Sequence, residues 1–289
     1  MKQSSSSQRL GQGAVFLCAV LWSTSGLFIK LLPWHPVVIA GTRSFIAALF
    51  LLALRRLFPR RGPLRRRPLL VFAGGMAYAA TMISFVIANK LTASANAILL
   101  QYSAPVWAAL LGWALAKEKP HWEHWAALVL VMGGLLLFFK GGLAGGSALG
   151  NGVAVLSGIC FGANSAFMRM QKEGDPADSM LTAHIITAAF CVPFLFLFPP
   201  VPGAAAVGAV LFMGFIQIGT ASLLFAYGIR RISAVQAMLT AMIEPVLNPL
   251  WVLLVTGEKP APEALLGGGI IVAAVLFSSI IGKQREAGG

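Results

Sequence analysis

Acidic residues are the scarcest chemistry in this chain: 289 residues hold nine Asp and Glu against 22 Lys and Arg. Charged residues of both signs amount to 11%, less than half of the roughly one quarter found in ordinary soluble domains. That shortage excludes a polar shell wrapped around one or two soluble cores. Cysteine is nearly as scarce. Cys18, Cys160 and Cys191 are odd in number, lie inside apolar runs and have no metal-ligand spacing. They read as buried packing rather than a disulfide framework or metal site. Also missing are a Gly-Lys-Ser/Thr phosphate loop, which disfavours ATP-driven work by this chain alone, a His-Glu-x-x-His and a Ser/His/Asp set. The expectation is a non-enzyme without cofactor or metal.

What the chain has instead is long apolar sequence, with a mean hydropathy of +0.81. Segments 13–32, 69–89, 94–116, 204–229 and 264–282 each approach the ~20 residues needed to cross a bilayer core. The polar, basic start followed by an apolar run imitates a signal peptide, but no small-residue cleavage site follows it, so it reads as the first span. The sequence predicts an all-α membrane protein with ten transmembrane helices: 13–32, 36–55, 69–89, 93–116, 122–140, 150–170, 178–198, 204–229, 232–256 and 261–282. Pro33 and Pro36, Pro59, Pro63 and Pro68, Pro120, and Pro199, Pro200 and Pro202 punctuate them. A Gly-rich linker at 141–149 divides a first five-helix half, 13–140, from a second, 150–282. Tails at 1–12 and 283–289 flank them.

The charge excess of +13 comes largely from one loop, Arg55, Arg56, Arg60, Arg61, Arg65, Arg66 and Arg67, between two apolar runs. This is a topology signal and not a nucleic-acid groove. With ten spans, seventeen Lys and Arg fall on the N-terminal side and four, Lys30, Lys90, Lys140 and Lys259, on the other. The positive-inside rule then puts both termini in the cytoplasm.

A repeat underlies the two halves. Pro105-Val106 followed by Glu118-Lys119-Pro120 returns 140 residues later as Pro245-Val246 followed by Glu258-Lys259-Pro260. Trp22-Ser23-Thr24-Ser25 and Lys30 match Phe161-Gly162-Ala163-Asn164 and Arg169 at an offset of 139. Five helices per copy is odd, so the second copy enters the membrane from the opposite side: an inverted repeat, as in many secondary transporters.

Ionisable groups at membrane depth are functional candidates by default. Glu244, directly before Pro245, is the only carboxylate expected deep in a span. A central carboxylate costs about 2.5–3.5 kcal/mol on insertion scales, so it is expected to be solvated, paired or protonated. It reads either as a binding or proton-linked group in a wet cavity, or as a structural group bonded where Pro245 frees a carbonyl. Asn248 lies one turn further on the same face. Arg43 in the second helix suits a carboxylate ligand or a helix-pinning role, and His184 holds a comparable place in the second copy. Ser23-Thr24-Ser25-Gly26 and Gly162-Ala163-Asn164-Ser165 are matching polar breaks, expected either where helices loosen at a site or where small residues pack closely.

Ser94, Ala97, Gln101, Ala104 and Ala108 form a small, polar stripe beside Tyr102 and Pro105. Together with Trp22, Ser25, Tyr78, Met82, Asn164, Gln217 and Tyr227, the residues Gln101, Tyr102, Glu244 and Asn248 make the candidate substrate cavity, suited to apolar or aromatic solutes. Glu244, Arg43 and His184 are the candidate coupling or structural charges. Trp107, Trp113, Trp122 and Trp125 near helix ends read as an interfacial belt.

Two halves each closing with Pro-Val … Glu-Lys-Pro, Glu244-Pro245-Val246 followed by Gly257-Glu258, and Leu21-Trp22-Ser23-Thr24-Ser25-Gly26 with Arg43 together resemble the EamA group of the drug/metabolite transporter superfamily. Within it the chain looks most like YddG-type amino-acid exporters of bacterial inner membranes. The resemblance implies export of aromatic and other neutral amino acids. The expected partners are a small-molecule substrate and the lipid bilayer, with a monomer sufficient and the oligomeric state left open. One departure is that Ala104 stands where the second copy has Glu244. Two alternatives stay open: a carrier of drug-like cations or other metabolites, and a non-transporting membrane scaffold with a dry interior.

Overall fold

The computed structural model describes residues 5–25, 28, 32–58, 67–92, 94–140, 147–201, 203–256 and 262–287. Only backbone is described for residues 5, 89, 90, 94, 95, 248, 249, 252, 256 and 282–287. Among the described residues all regular structure is helical. The elements are α1 (Ser5–Ser23), α2 (Pro36–Leu57), α3 (Pro68–Leu91), α4 (Ser94–Gln101), α5 (Ala104–Ala116), α6 (Trp122–Phe138), α7 (Ala148–Met170) and α8 (Ala177–Leu197). There follow α9 (Ala204–Phe212), a π-helical turn (Met213–Thr220), α10 (Ala221–Ile229), α11 (Ala234–Ala241), α12 (Ile243–Thr256) and α13 (Pro262–Ala287). Among the described residues seven helical stretches are long and apolar enough to cross a bilayer, and Trp122–Phe138 and Ala234–Leu247 are shorter apolar helices.

Helix boundaries follow local chemistry. Prolines open α2 and α3, where the missing N–H is not needed. Ser147 caps α7 by accepting from the Gly150 amide, and Ser233 with Gln236 forms a capping box at α11. α5 stops at Lys117, which adopts a left-handed conformation with φ 60°, while the Glu118 amide reaches back to the Gly112 carbonyl.

Three expectations change. α1 begins at Ser5, inside the expected tail. The fourth and ninth segments are each broken: α4 ends at Gln101 before α5 begins at Ala104, and α11 ends at Ala241 before α12 begins at Ile243. Gln101 and Ala241 are 140 residues apart, so the breaks occupy equivalent places in the repeat. Pro105 and Pro245 cause them, because proline offers no N–H to the carbonyl four residues back and its ring clashes with it. The amides of Ser103 and Met242 accordingly turn to the three-back carbonyls of Leu100 and Leu239. The third correction concerns Gly162-Ala163-Asn164-Ser165, which is no break: α7 runs through it continuously.

The two expected halves interleave. The dominant packing partners are α3 with α7 and α8, α6 with α13, α5 with α7, α2 with α8, and α1 with α10. Each of these pairs joins one half to the other. Exchanging the halves maps the pattern onto itself: α3 on α7 answers α1 on α10, and α2 on α8 and α6 on α13 answer themselves. Close approach through small residues permits it. A Cβ on Gly158 would lie 2.9 Å from the Gln101 carbonyl oxygen, and one on Gly134 would lie 2.9 Å from that of Gly267.

Candidate functional site

The seam between the halves carries an aromatic cluster. Trp22 of α1 stands 5.9 Å from Phe161 of α7 and 5.5 Å from Phe225 of α10, measured between ring centroids. Tyr78 of α3 is 6.0 Å from Phe161 and 6.1 Å from His184 of α8. These spacings suit tilted and edge-on ring packing. Trp22 and Phe161 are the residues matched at offset 139, so repeat equivalents face one another. Phe161 and Phe225 were not predicted as site residues. The match of Phe161 to Trp22 was the signal available for the first, and apolar periodicity alone gave none for the second.

Around the rings lie the deep polar groups. Arg43 of α2 donates from Nη1 to Oε1 of Gln217 at 3.4 Å, and Gln217 donates from Nε2 to the Trp22 carbonyl at 3.4 Å. Gln217 sits in the π-helical turn, a local irregularity often found at functional sites. Glu244, in the first turn of α12, lies beside the Tyr102 hydroxyl at the other break. Arg43 lies within electrostatic reach of Glu244 and Tyr78, yet it has no carboxylate in ion-pair contact among the described residues. Both charges are deep in the bundle and still retain accessible surface. Arg43 Nε and Trp22 Nε1 are buried without a hydrogen-bond partner.

The remaining predicted residues divide. Met82 packs against the central cluster and takes a long contact, 3.9 Å, from Thr187 Oγ1. Ser25 follows the end of α1 and is partly exposed. Gln101 turns to α7, donating to Ser157 Oγ at 3.0 Å. Ala104 and Ala108 of the small-residue stripe meet Gly162. Asn164 is fully buried and donates to the Gly74 carbonyl at 2.9 Å, clasping α7 to α3. His184 is fully buried, with Nε2 at 2.9 Å from Ser222 Oγ. Tyr227 is not brought to the cluster: it is 40% exposed, with the Arg231 guanidinium 3.4 Å above its ring. Asn248 lies on α12, where only its backbone is described. Gly26, Lys30, Arg60, Arg61, Arg65, Arg66 and the second Glu258-Lys259-Pro260 lie outside the described residues.

The fold and this arrangement define a class: a multi-pass, duplicated helical membrane protein with polar groups along its internal seam. The model of the EamA-like transporter family matches twice, over residues 9–140 and 148–280. The chain belongs to that family, a member of the drug/metabolite transporter superfamily. It is similar to the uncharacterized transporter YwfM of Bacillus subtilis, 26% identical over 283 residues and 94% of each chain. An uncharacterized transporter of Archaeoglobus fulgidus is 26% identical over 276 residues, covering 93% of this chain and 96% of that one. A protein of known crystal structure shares the fold with a TM-score of 0.81 at 20% identity, covering 96% of this chain and 98% of the other.

Proposed function

We propose that this transporter is a secondary carrier exporting small amphipathic metabolites, above all aromatic and other neutral amino acids, by alternating access. In this reading ten spans form two inverted five-helix halves in a bacterial inner membrane, with both termini cytoplasmic and a monomer sufficient. The carrying observation is that Arg43 and Glu244, deep in one seam, are not paired with each other and flank an aromatic cluster. A guanidinium can take a carboxylate bidentately, a carboxylate can take an ammonium group or a proton, and the rings can hold an apolar side chain. The twin breaks at Tyr102 and Met242 support a midplane site, since discontinuous helices place polar backbone there. A proteoliposome flux panel of amino acids, run with and without a pH gradient, tests the reading. Saturable counterflow of neutral amino acids is expected, and no flux of any of them overturns the substrate assignment.

Glu244 also favours a second reading, efflux of cationic drug-like solutes. Transport of such cations that survives Glu244→Gln unchanged, pH dependence included, would remove it.

A further inference from the structure

At one end of the molecule three ion pairs cross between the two family-matched regions. Arg169 Nε meets Glu118 Oε1 at 2.7 Å, Lys172 Nζ meets the same oxygen at 3.6 Å, and Arg55 Nη1 meets Asp178 Oδ1 at 2.7 Å. The Arg169–Glu118 pair differs from the Arg55–Asp178 pair in its surroundings. The Arg169 side chain is 9% exposed and that of Glu118 22%, whereas Arg55 is 48% exposed. Arg169 also donates from Nη1 to the Ile229 carbonyl at 3.0 Å, and Arg230 donates from Nε to the Lys172 carbonyl at 3.1 Å. The ends of α5, α7 and α10 are thus drawn together through one carboxylate. Its placement depends on Lys117, the one non-glycine residue with positive φ among the described residues, a conformation that costs energy and persists where the surroundings hold it.

We propose that Glu118, held by Arg169 and Lys172, is an inter-repeat latch that closes the basic mouth of the carrier and breaks whenever that mouth opens. The inference rests on the alternating-access reading above and adds the contact that the rocking halves must give up. A largely buried pair suits this role. Removing one partner leaves a charge without compensation, so the closed state loses far more than it would from an exposed pair. The same contact that stabilises the closed mouth therefore sets the population of the open one.

Cys18 supplies a reporter that needs no substrate. It lies fully buried on α1 in the central cluster, above Gly11, which packs against Arg231 at this end. Cys191 is buried at the contact of α8 with Gly41 of α2 and reports loss of packing instead. Two single-cysteine forms of the full chain, one keeping Cys18 and one Cys191, are labelled with a membrane-impermeant maleimide in vesicles that expose the basic end. Glu118→Gln is expected to speed Cys18 labelling by about tenfold, as a shift of open and closed populations, and to leave Cys191 unchanged. Lys172→Gln, at an exposed residue, is expected to act in the same direction by a smaller factor. No change at Cys18 in either variant overturns the latch, and so does equal acceleration at both cysteines, which marks general loosening. Counterflow measured on the same vesicles separates the two readings: latch-dependent labelling without transport of any solute would retain the latch and reject the carrier.

Discussion

The Tyr102 hydroxyl lies beside the Glu244 carboxylate, bringing the break in the fourth segment against the break in the ninth. Tyr102 follows the end of α4, and Glu244 opens α12. This one juxtaposition thus spans the two places where proline interrupts a span. A hydrogen bond to a charged group contributes about 1.5–3 kcal/mol, equivalent to roughly tenfold or more in an equilibrium. Tyr102→Phe is expected to cut counterflow by about that factor while leaving the protein folded. Glu244→Gln is expected to abolish the response of flux to a pH gradient. Initial rates in proteoliposomes at several pH gradients check both, and a gradient response retained by Glu244→Gln would remove Glu244 from coupling.

Arg43 separates charge from geometry. Its Nη1 is occupied by Gln217, and its Nε is buried without a partner. If that free edge receives a substrate carboxylate, lysine cannot replace it, since a point charge lacks the planar fork. Arg43→Lys is expected to raise the half-saturation concentration for carboxylate substrates about tenfold, the value of one good charged hydrogen bond, with less change in maximal rate. Amide analogues lacking the carboxylate should be far less affected. Equal losses for acids and amides would assign Arg43 to pinning α2 against the π-helical turn.

Much of the helical arrangement was legible in the sequence because apolar runs and prolines act locally. The segment from Ala204 to Ile229 and the start of α2 at Pro36 appear where expected. The paired breaks were less legible, although Pro105 and Pro245 were in view. A proline in a span permits a kink, a break or continuity, and Pro193 sits inside unbroken α8. The candidate site was legible where a charge, a repeat match or a polar-tipped side chain in an apolar run marked it. Glu244 and Arg43 stand out in apolar sequence, Trp22 and Phe161 through their offset, and Tyr78, Tyr102 and Gln217 as polar tips within spans. Asn164 and Gln101 looked the same by composition, but their bonds to Gly74 and Ser157 hold helices together. Direction around a helix bundle is a tertiary property, and no local pattern encodes it.

Gly162 tests close packing directly. A Cβ there would sit 2.6 Å from Trp107 Cβ, 2.7 Å from the Ala108 nitrogen and 2.8 Å from the Ala104 oxygen. Two of those neighbours are backbone and cannot swing away. Gly162→Ala is expected to destabilise by about 1–3 kcal/mol through overpacking. Gly152, on the same helix with nothing within 4 Å, is the control. There alanine should be neutral or stabilise by up to about 1 kcal/mol through helix propensity. Thermal unfolding in detergent, followed by tryptophan fluorescence, reads both, and an unchanged midpoint for Gly162→Ala would contradict the α5–α7 contact.

Asn164 distinguishes a clasp from a ligand. Its amide donates to the Gly74 carbonyl at 2.9 Å, and its Oδ1 is buried without a partner. The bond joins α7 to α3 at a contact lined on the α3 side by Gly74 and Gly75, which a Cβ would crowd against Ser179 and Thr182. Asn164→Ala removes the bond and leaves a small void, a loss of about 1–3 kcal/mol in stability. A clasp predicts a lower unfolding midpoint, with the half-saturation concentration of the surviving folded protein unchanged. A ligand role for Oδ1 predicts the reverse, an unchanged midpoint and a raised half-saturation concentration. Because the geometry commits the amide nitrogen to backbone on a neighbouring helix, the first outcome is the one expected.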